Sequence, residues 1–218
     1  MKYLIGIDLG TSSLKVLLLD TRGVPLYSTS SEYPTYSSQP GYSEQDPGDW
    51  YTALVTAIRE TLIATGINKK NIEGISFSGQ MHGLVCIDRS GTPVRKAIIW
   101  SDQRSSSQVD QILSKIRNEN YGLLTGNPLS TGFMLPSWLW VCENEACSVT
   151  KTRYLMLPKD YLRYKMTGFF CSDPSDAAST GLFDVTHKGW SKSLLDEINL
   201  DPTFLPEIRE SHQSAGQI

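Results

Sequence analysis

The residues best suited to chemistry lie near the start of the chain, in Ile5-Gly6-Ile7-Asp8-Leu9-Gly10-Thr11-Ser12-Ser13-Leu14-Lys15. An apolar run delivers one carboxylate into a small, hydroxyl-rich turn. Asp8 would face a hydrated Mg2+ that is itself bridged to phosphate oxygens. Gly10 lets the backbone approach a ligand, Thr11, Ser12 and Ser13 supply N–H and O–H donors, and Lys15 adds positive charge. A plain tight turn accounts for the same residues without any ligand. No Gly-x-x-x-x-Gly-Lys-Ser/Thr string occurs, so the Walker-type route to phosphate is unsupported.

A second group sits in Gly79-Gln80-Met81-His82-Gly83, after the apolar run 72–78. Polar groups at strand ends of α/β sheets commonly meet ligands. The two glycines leave Gln80, Met81 and His82 room to reach one, His82 by hydrogen-bonding a hydroxyl and Met81 by lining a pocket wall. A structural hydrogen bond from His82 is the alternative. Trp100-Ser101-Asp102-Gln103-Arg104 closes another apolar run with an indole, a carboxylate and a guanidinium. That combination grips a polyol, or else forms an ordinary surface ion pair. Asp173 and Asp176 suit the capping of a short helix around Ala177 and Ala178. Gly74-Ile75-Ser76-Phe77-Ser78-Gly79 misses the Gly-x-Ser-x-Gly nucleophile elbow by one residue, which argues against a hydrolase triad.

The elements that must position these groups follow from periodicity. Residues 3–9 and 14–19 read as mostly buried strands of a hairpin, and 24–31 as a third strand after the Thr21-Arg22-Gly23 turn, so the chain opens antiparallel. Asp46-Pro47 offers an N-cap followed by proline, Trp50, Leu54, Ile58 and Leu62 recur along one helix face, and Gly66 sits where a left-handed cap belongs. Residues 72–78 return as a buried strand, followed by strands over 84–88 and 96–100. Helices are expected around Val109 to Ile116, from Pro136 onward and over 158–166, with a short strand at 154–157. No repeat, low-complexity tract or dividing linker interrupts the pattern.

At 218 residues the chain has ample sequence for a core, and its formal net charge of −3 without a clustered basic face argues against a nucleic-acid surface. No apolar stretch approaches a membrane span, so a soluble cytoplasmic protein without membrane partners is expected. The four cysteines, Cys86, Cys142, Cys147 and Cys171, match no zinc or redox spacing and read as free thiols. His82, His187 and His212 carry no metal-ligand spacing.

Taken together these segments resemble the FGGY family of carbohydrate kinases, and within it the members acting on xylulose. The resemblance runs the whole chain. Ile7-Asp8-Leu9-Gly10-Thr11-Ser12 is similar to the family's first phosphate loop, Ser43-Glu44-Gln45-Asp46-Pro47 to its pre-helix segment, and Gly79-Gln80-Met81-His82-Gly83 to a substrate loop. Trp100-Ser101-Asp102-Gln103-Arg104, Thr125-Gly126-Asn127-Pro128, Leu157-Pro158-Lys159-Asp160-Tyr161-Leu162 and Ser172-Asp173-Pro174-Ser175-Asp176-Ala177-Ala178 extend it. One departure falls at Ser137, where the relatives usually carry lysine.

The resemblance implies an α/β fold: a ribonuclease H-like, actin-like ATPase lobe whose mixed sheet opens with three antiparallel strands and is flanked by helices. It implies that residues 1–218 are the family's N-terminal domain, incomplete at its C-terminal end, with the C-terminal lobe as partner and a homodimer compatible. ATP and Mg2+ are the implied cofactors. Asp8 would organise Mg-ATP, with Gly10, Thr11, Ser12, Ser13 and Lys15 near the phosphates. Gln80, Met81 and His82 would contact a ketose, joined by Trp100, Asp102 and Arg104. The implied reaction is phosphorylation of D-xylulose to D-xylulose 5-phosphate. Gluconate, ribulose or another polyol as acceptor, and a non-catalytic sugar- or nucleotide-sensing module, are the alternatives. The family's general-base aspartate lies beyond residue 218, so these residues alone are expected to have negligible activity.

Overall fold

Alternation of apolar side chains decides the first layer. In the computed structural model, which describes residues 1–116 and 118–218, the elements run β1 (Tyr3–Leu9), β2 (Ser13–Asp20), β3 (Pro25–Glu32), β4 (Glu44–Gln45), α1 (Pro47–Thr65), β5 (Ile72–Gly79), β6 (Val85–Ile87), β7 (Ala97–Ile98), α2 (Ser106–Lys115), α3 (Asn118–Thr125), α4 (Met134–Asn144), α5 (Ala146–Lys151), β8 (Tyr154–Met156), α6 (Pro158–Thr167), β9 (Cys171–Ser172) and α7 (Pro174–Ala177). Their contacts divide into two compact units: Met1–Thr35 with Asp46–Gln80, and Tyr36–Gln45 with Met81–Ile218. The chain passes between the units at three points.

The first unit is a four-stranded mixed sheet in the order β3-β2-β1-β5. β1 pairs antiparallel with β2, β2 antiparallel with β3, and β1 parallel with β5. A parallel neighbour demands a crossover, and α1 supplies it, packing on β2 and β3. Ile5, Ile7 and Leu9 of β1 and Leu14, Val16 and Leu18 of β2 face the buried side with Trp50, Ala53, Leu54 and Ala57 of α1. Asp46 caps α1 by accepting from the Gly48 N–H at 2.8 Å, and Gly66 ends it at φ 65°.

Two expectations need correction here. The buried stripe of α1 runs through Trp50, Ala53, Leu54, Ala57 and Thr61, whereas Ile58 and Leu62 are half-buried. Each step of four residues advances about 40° around a 3.6-residue helix, so a run of fours drifts off the core face and the alternating step of three restores it. β1 and β5 were expected to be mostly buried; only alternate residues of β1 are, and none of β5 is.

In the second unit β4 pairs with β7 and β6 with β8, both antiparallel. Leu84, Cys86, Ile98, Ile112, Tyr121, Leu135, Val141, Leu155 and Leu182 form its core. The expected strands 84–88 and 96–100 are shorter in the fold, and α4 begins two residues before Pro136, which stands in the first turn where its missing N–H costs nothing. α3 was not anticipated. All four cysteines are free, and among the described residues no helix is long and apolar enough to cross a membrane.

Candidate active site

The first unit gathers the residues from Asp8 to Lys15. Asp8 lies directly opposite Lys15 of β2 and Ser78 of β5, so the three side chains share one face of the sheet, the face away from Ile7 and Leu9. Asp8 and Lys15 are exposed, and among the described residues neither enters an ion pair. An uncommitted carboxylate flanked by an ammonium and a hydroxyl has the donor chemistry for a hydrated Mg2+ and the anion it neutralises, so these residues fit the implied ion. The turn between β1 and β2 is closed by the Gly10 N–H donating to the Ser13 carbonyl at 3.0 Å. A Cβ at residue 10 would stand 3.0 Å from that same oxygen, a tight contact that favours glycine at this return. Tyr33, just past β3 and buried, donates its N–H to the Ser12 carbonyl at 3.3 Å and its hydroxyl to the Gly10 carbonyl. Burial, reinforced by the Asp8 charge, holds its phenol well above the ordinary value, so it remains a donor. Gln80 belongs to this unit: its N–H donates to the Leu9 carbonyl at 2.6 Å and its side chain is buried.

The second unit gathers a different patch. His82 adopts φ 62°, and its ring stacks on Phe133 with centroids 4.0 Å apart and planes 16° apart. Its Nδ1 lies 2.8 Å from the Ser179 carbonyl. A carbonyl only accepts, so Nδ1 carries the proton in this bond and Nε2 is the ring nitrogen left for another partner. The His82 N–H also donates to Ser179 Oγ at 3.3 Å. The Gly83 N–H donates to the Gly132 carbonyl at 2.8 Å, and a Cβ at residue 132 would lie 2.2 Å from the Trp100 carbonyl oxygen. Met81 and Trp100 are 50% and 48% exposed. Met81 and Trp100 therefore present thioether and indole surface, and the His82 ring lies half-buried against the buried Phe133. This composition suits a polyhydroxylated ligand with apolar C–H faces.

Asp102 and Arg104 are placed otherwise than expected. Their side chains are 0% and 2% exposed. Asp102 accepts from the Ser43 N–H at 2.6 Å, the Arg104 N–H at 2.9 Å and the Arg104 guanidinium at 2.8 to 3.0 Å. Arg104 also pairs with Glu44 at 2.8 Å and lies over the rings of Tyr42 and Trp140. Buried and committed to each other, the two form an ion pair, the alternative to a polyol contact, although inside the unit rather than at its surface.

A further ion cluster is built on α6. Lys159 pairs with Asp173, with Asp176 at 3.1 Å and with Asp160 at 3.3 Å, while Arg163 reaches Asp160 at 3.1 Å. Asp173 also caps α7, as expected, accepting from the Ser175 N–H at 3.1 Å and the Asp176 N–H at 3.3 Å. Burial alone would lower the Lys159 ammonium, but the three carboxylates outweigh it and raise it. Asp173 is held down at about 2, where bonds from Lys159 and Ser175 overcome burial, whereas Asp176 is raised by burial and its acidic neighbours to about 6. These three aspartates are the only cluster of potential metal ligands among the described residues, and the lysine nitrogen already serves them. Tyr33, Gly132, Phe133 and Ser179 escaped sequence reasoning. Ser179 meets His82 across 97 positions, which no spacing rule links. Ser137, the departure from the family pattern, is buried in α4 with a hydroxyl that finds no hydrogen-bond partner among the described residues.

A mixed sheet completed by a crossover helix, joined to a largely helical second unit, places the chain among actin-like ATPase folds. The chain belongs to the FGGY family of carbohydrate kinases: it matches the family's N-terminal domain over residues 3–218. It is 43% identical over 218 residues to the xylulose kinase of Staphylococcus xylosus, covering 100% of this chain and 45% of that protein. Among solved structures, a xyloylose kinase from Brucella ovis superposes with a TM-score of 0.92 at 36% identity, over 98% of this chain and 44% of that one. A gluconate kinase from Lactobacillus acidophilus gives a TM-score of 0.88 at 27% identity, over 95% and 42%. The chain thus spans under half the length of the relatives it matches.

Proposed function

We propose that the protein carrying this chain transfers the γ-phosphoryl group of ATP to D-xylulose, giving D-xylulose 5-phosphate, and that residues 1–218 form its ribonuclease H-like N-terminal lobe, completed by a C-terminal lobe. The observation that carries the acceptor half is the His82 arrangement: a ring held by Phe133 and Ser179 through one face and Nδ1, which leaves Nε2 for a sugar hydroxyl, in a unit that also exposes Met81 and Trp100. Identity to a xylulose kinase supports the choice of ketose. In the nucleotide half, Asp8 would hold the hydrated Mg2+, which when bound supplies charge neutralisation for the phosphates. Lys15 adds a further positive charge, and the Gly10 to Ser13 turn brings backbone and hydroxyl donors toward phosphate oxygens. Asp102 and Arg104 hold the Trp100 loop rather than the sugar. Likeness to a gluconate kinase favours a second reading in which the acceptor is another polyol, since a few hydroxyl contacts decide between them. ADP release with Mg-ATP and a panel of D-xylulose, ribulose and gluconate separates these. Selective turnover of D-xylulose is expected; preference for gluconate or ribulose overturns the acceptor, and sugar-independent behaviour favours a sensor.

A further inference from the structure

We infer that Tyr33 is a positioning residue for the nucleotide, one that sets the orientation of the Gly10 to Ser13 turn by holding two of its carbonyl groups; the inference rests on the nucleotide role proposed for that turn. Tyr33 engages the turn twice, through its N–H to the Ser12 carbonyl at 3.3 Å and through its hydroxyl to the Gly10 carbonyl. Among the described residues no peptide bond is cis. In a planar trans peptide the C=O and N–H point in opposite directions. Turning the Gly10 and Ser12 carbonyls onto Tyr33 therefore turns the Thr11 and Ser13 N–H groups the other way.

The sign of that orientation matters for an anion. Peptide N–H groups attract phosphate oxygens and carbonyl oxygens repel them, so a turn with its carbonyls drawn to one side presents an anion-compatible surface on the other. The Gly10 N–H is held by the Ser13 carbonyl, and because glycine leaves its own backbone torsions open the Tyr33 hydroxyl is what directly engages the Gly10 carbonyl. Tyr33 is itself well held: it is 8% exposed and directly follows β3, which is paired along its length to β2. The hydroxyl is thus a rigid donor delivered from a neighbouring strand to the most pliable peptide of the turn.

The test is Tyr33→Phe in the protein that carries this chain, with Asp8→Ala beside it, measuring equilibrium binding of Mg-ATP, the KM values for nucleotide and sugar, and thermal unfolding. Loss of one oriented hydrogen bond predicts Mg-ATP binding and KM weaker by about fivefold to tenfold, with the sugar KM within about twofold. The melting temperature should fall by no more than about 2 to 4 °C. Unchanged Mg-ATP binding in Tyr33→Phe, while Asp8→Ala abolishes transfer, overturns the inference and leaves the nucleotide role of the turn standing. Equal weakening toward sugar and nucleotide makes Tyr33 a structural residue only and also overturns it. Full transfer by Asp8→Ala removes the proposed nucleotide role itself.

Discussion

Replacing Asp102 with alanine would strip a buried guanidinium of its main counter-charge. Asp102 is wholly buried and accepts from the Ser43 and Arg104 N–H groups as well as from the guanidinium of Arg104, whose side chain is 2% exposed. Removing one partner of a buried pair costs about 3 to 5 kcal/mol, because the remaining charge stays desolvated. Arg104 keeps Glu44 at 2.8 Å and the Tyr42 and Trp140 rings at 3.8 and 4.9 Å. The loss should therefore lie at the lower end, about 3 kcal/mol, a fall of about 6 to 12 °C in melting temperature for a domain of this size. Tryptophan fluorescence during denaturant and thermal unfolding reads it, with Trp140 beside the guanidinium as a local reporter. At temperatures where the variant is folded, its KM for D-xylulose should remain within about threefold of the parent, since a brace makes no ligand contact. A stability loss below about 1 kcal/mol, coupled to a large rise in sugar KM, would refute the reasoning and return Asp102 to the ligand.

Three other outcomes follow from the geometry. His82→Asn, which tolerates the left-handed backbone at φ 62° but withdraws the imidazole Nε2, should raise the sugar KM by about tenfold or more and leave that for Mg-ATP unchanged; steady-state kinetics in both substrates checks it. Gly132→Ala drives a methyl toward the Trp100 carbonyl oxygen, 2.2 Å away, at φ 76°, and should cost a few kcal/mol, at least about 2, together with sugar affinity; calorimetry and melting measure both. The Asp176 carboxyl is raised from 3.8 to about 6 in the folded protein, so its stabilising contribution is complete below pH 3.8 and is lost as pH rises through about 6. Melting temperatures of Asp176→Asn minus parent should thus grow more positive between pH 4 and 7, and a difference that shrinks over that range contradicts the assignment.

Local signals carried much of this structure. Apolar runs marked β1 and β2, Asp46-Pro47 and Gly66 marked both ends of α1, and the glycine-bracketed loop marked Met81 and His82. What the sequence concealed depends on contacts between distant positions. Trp100, Asp102 and Arg104 share one short segment, yet the indole is half exposed while the ion pair is sealed by Tyr42, Ser43, Glu44 and Trp140. Charge type alone cannot distinguish a ligand contact from a brace; burial does. The same holds for Tyr33 and Ser179, whose roles come from which carbonyl or ring they meet, and for Lys159, which reads as an ordinary helix lysine until three aspartates surround it.

The most direct measurement pairs D-xylulose binding by calorimetry with sugar-dependent ADP release, in the parent protein and in Asp8→Ala. Unchanged sugar affinity and transfer lowered by at least about a hundredfold in the variant are expected if Asp8 serves the nucleotide and the second unit the sugar, as proposed. Equal ADP release by variant and parent would contradict it.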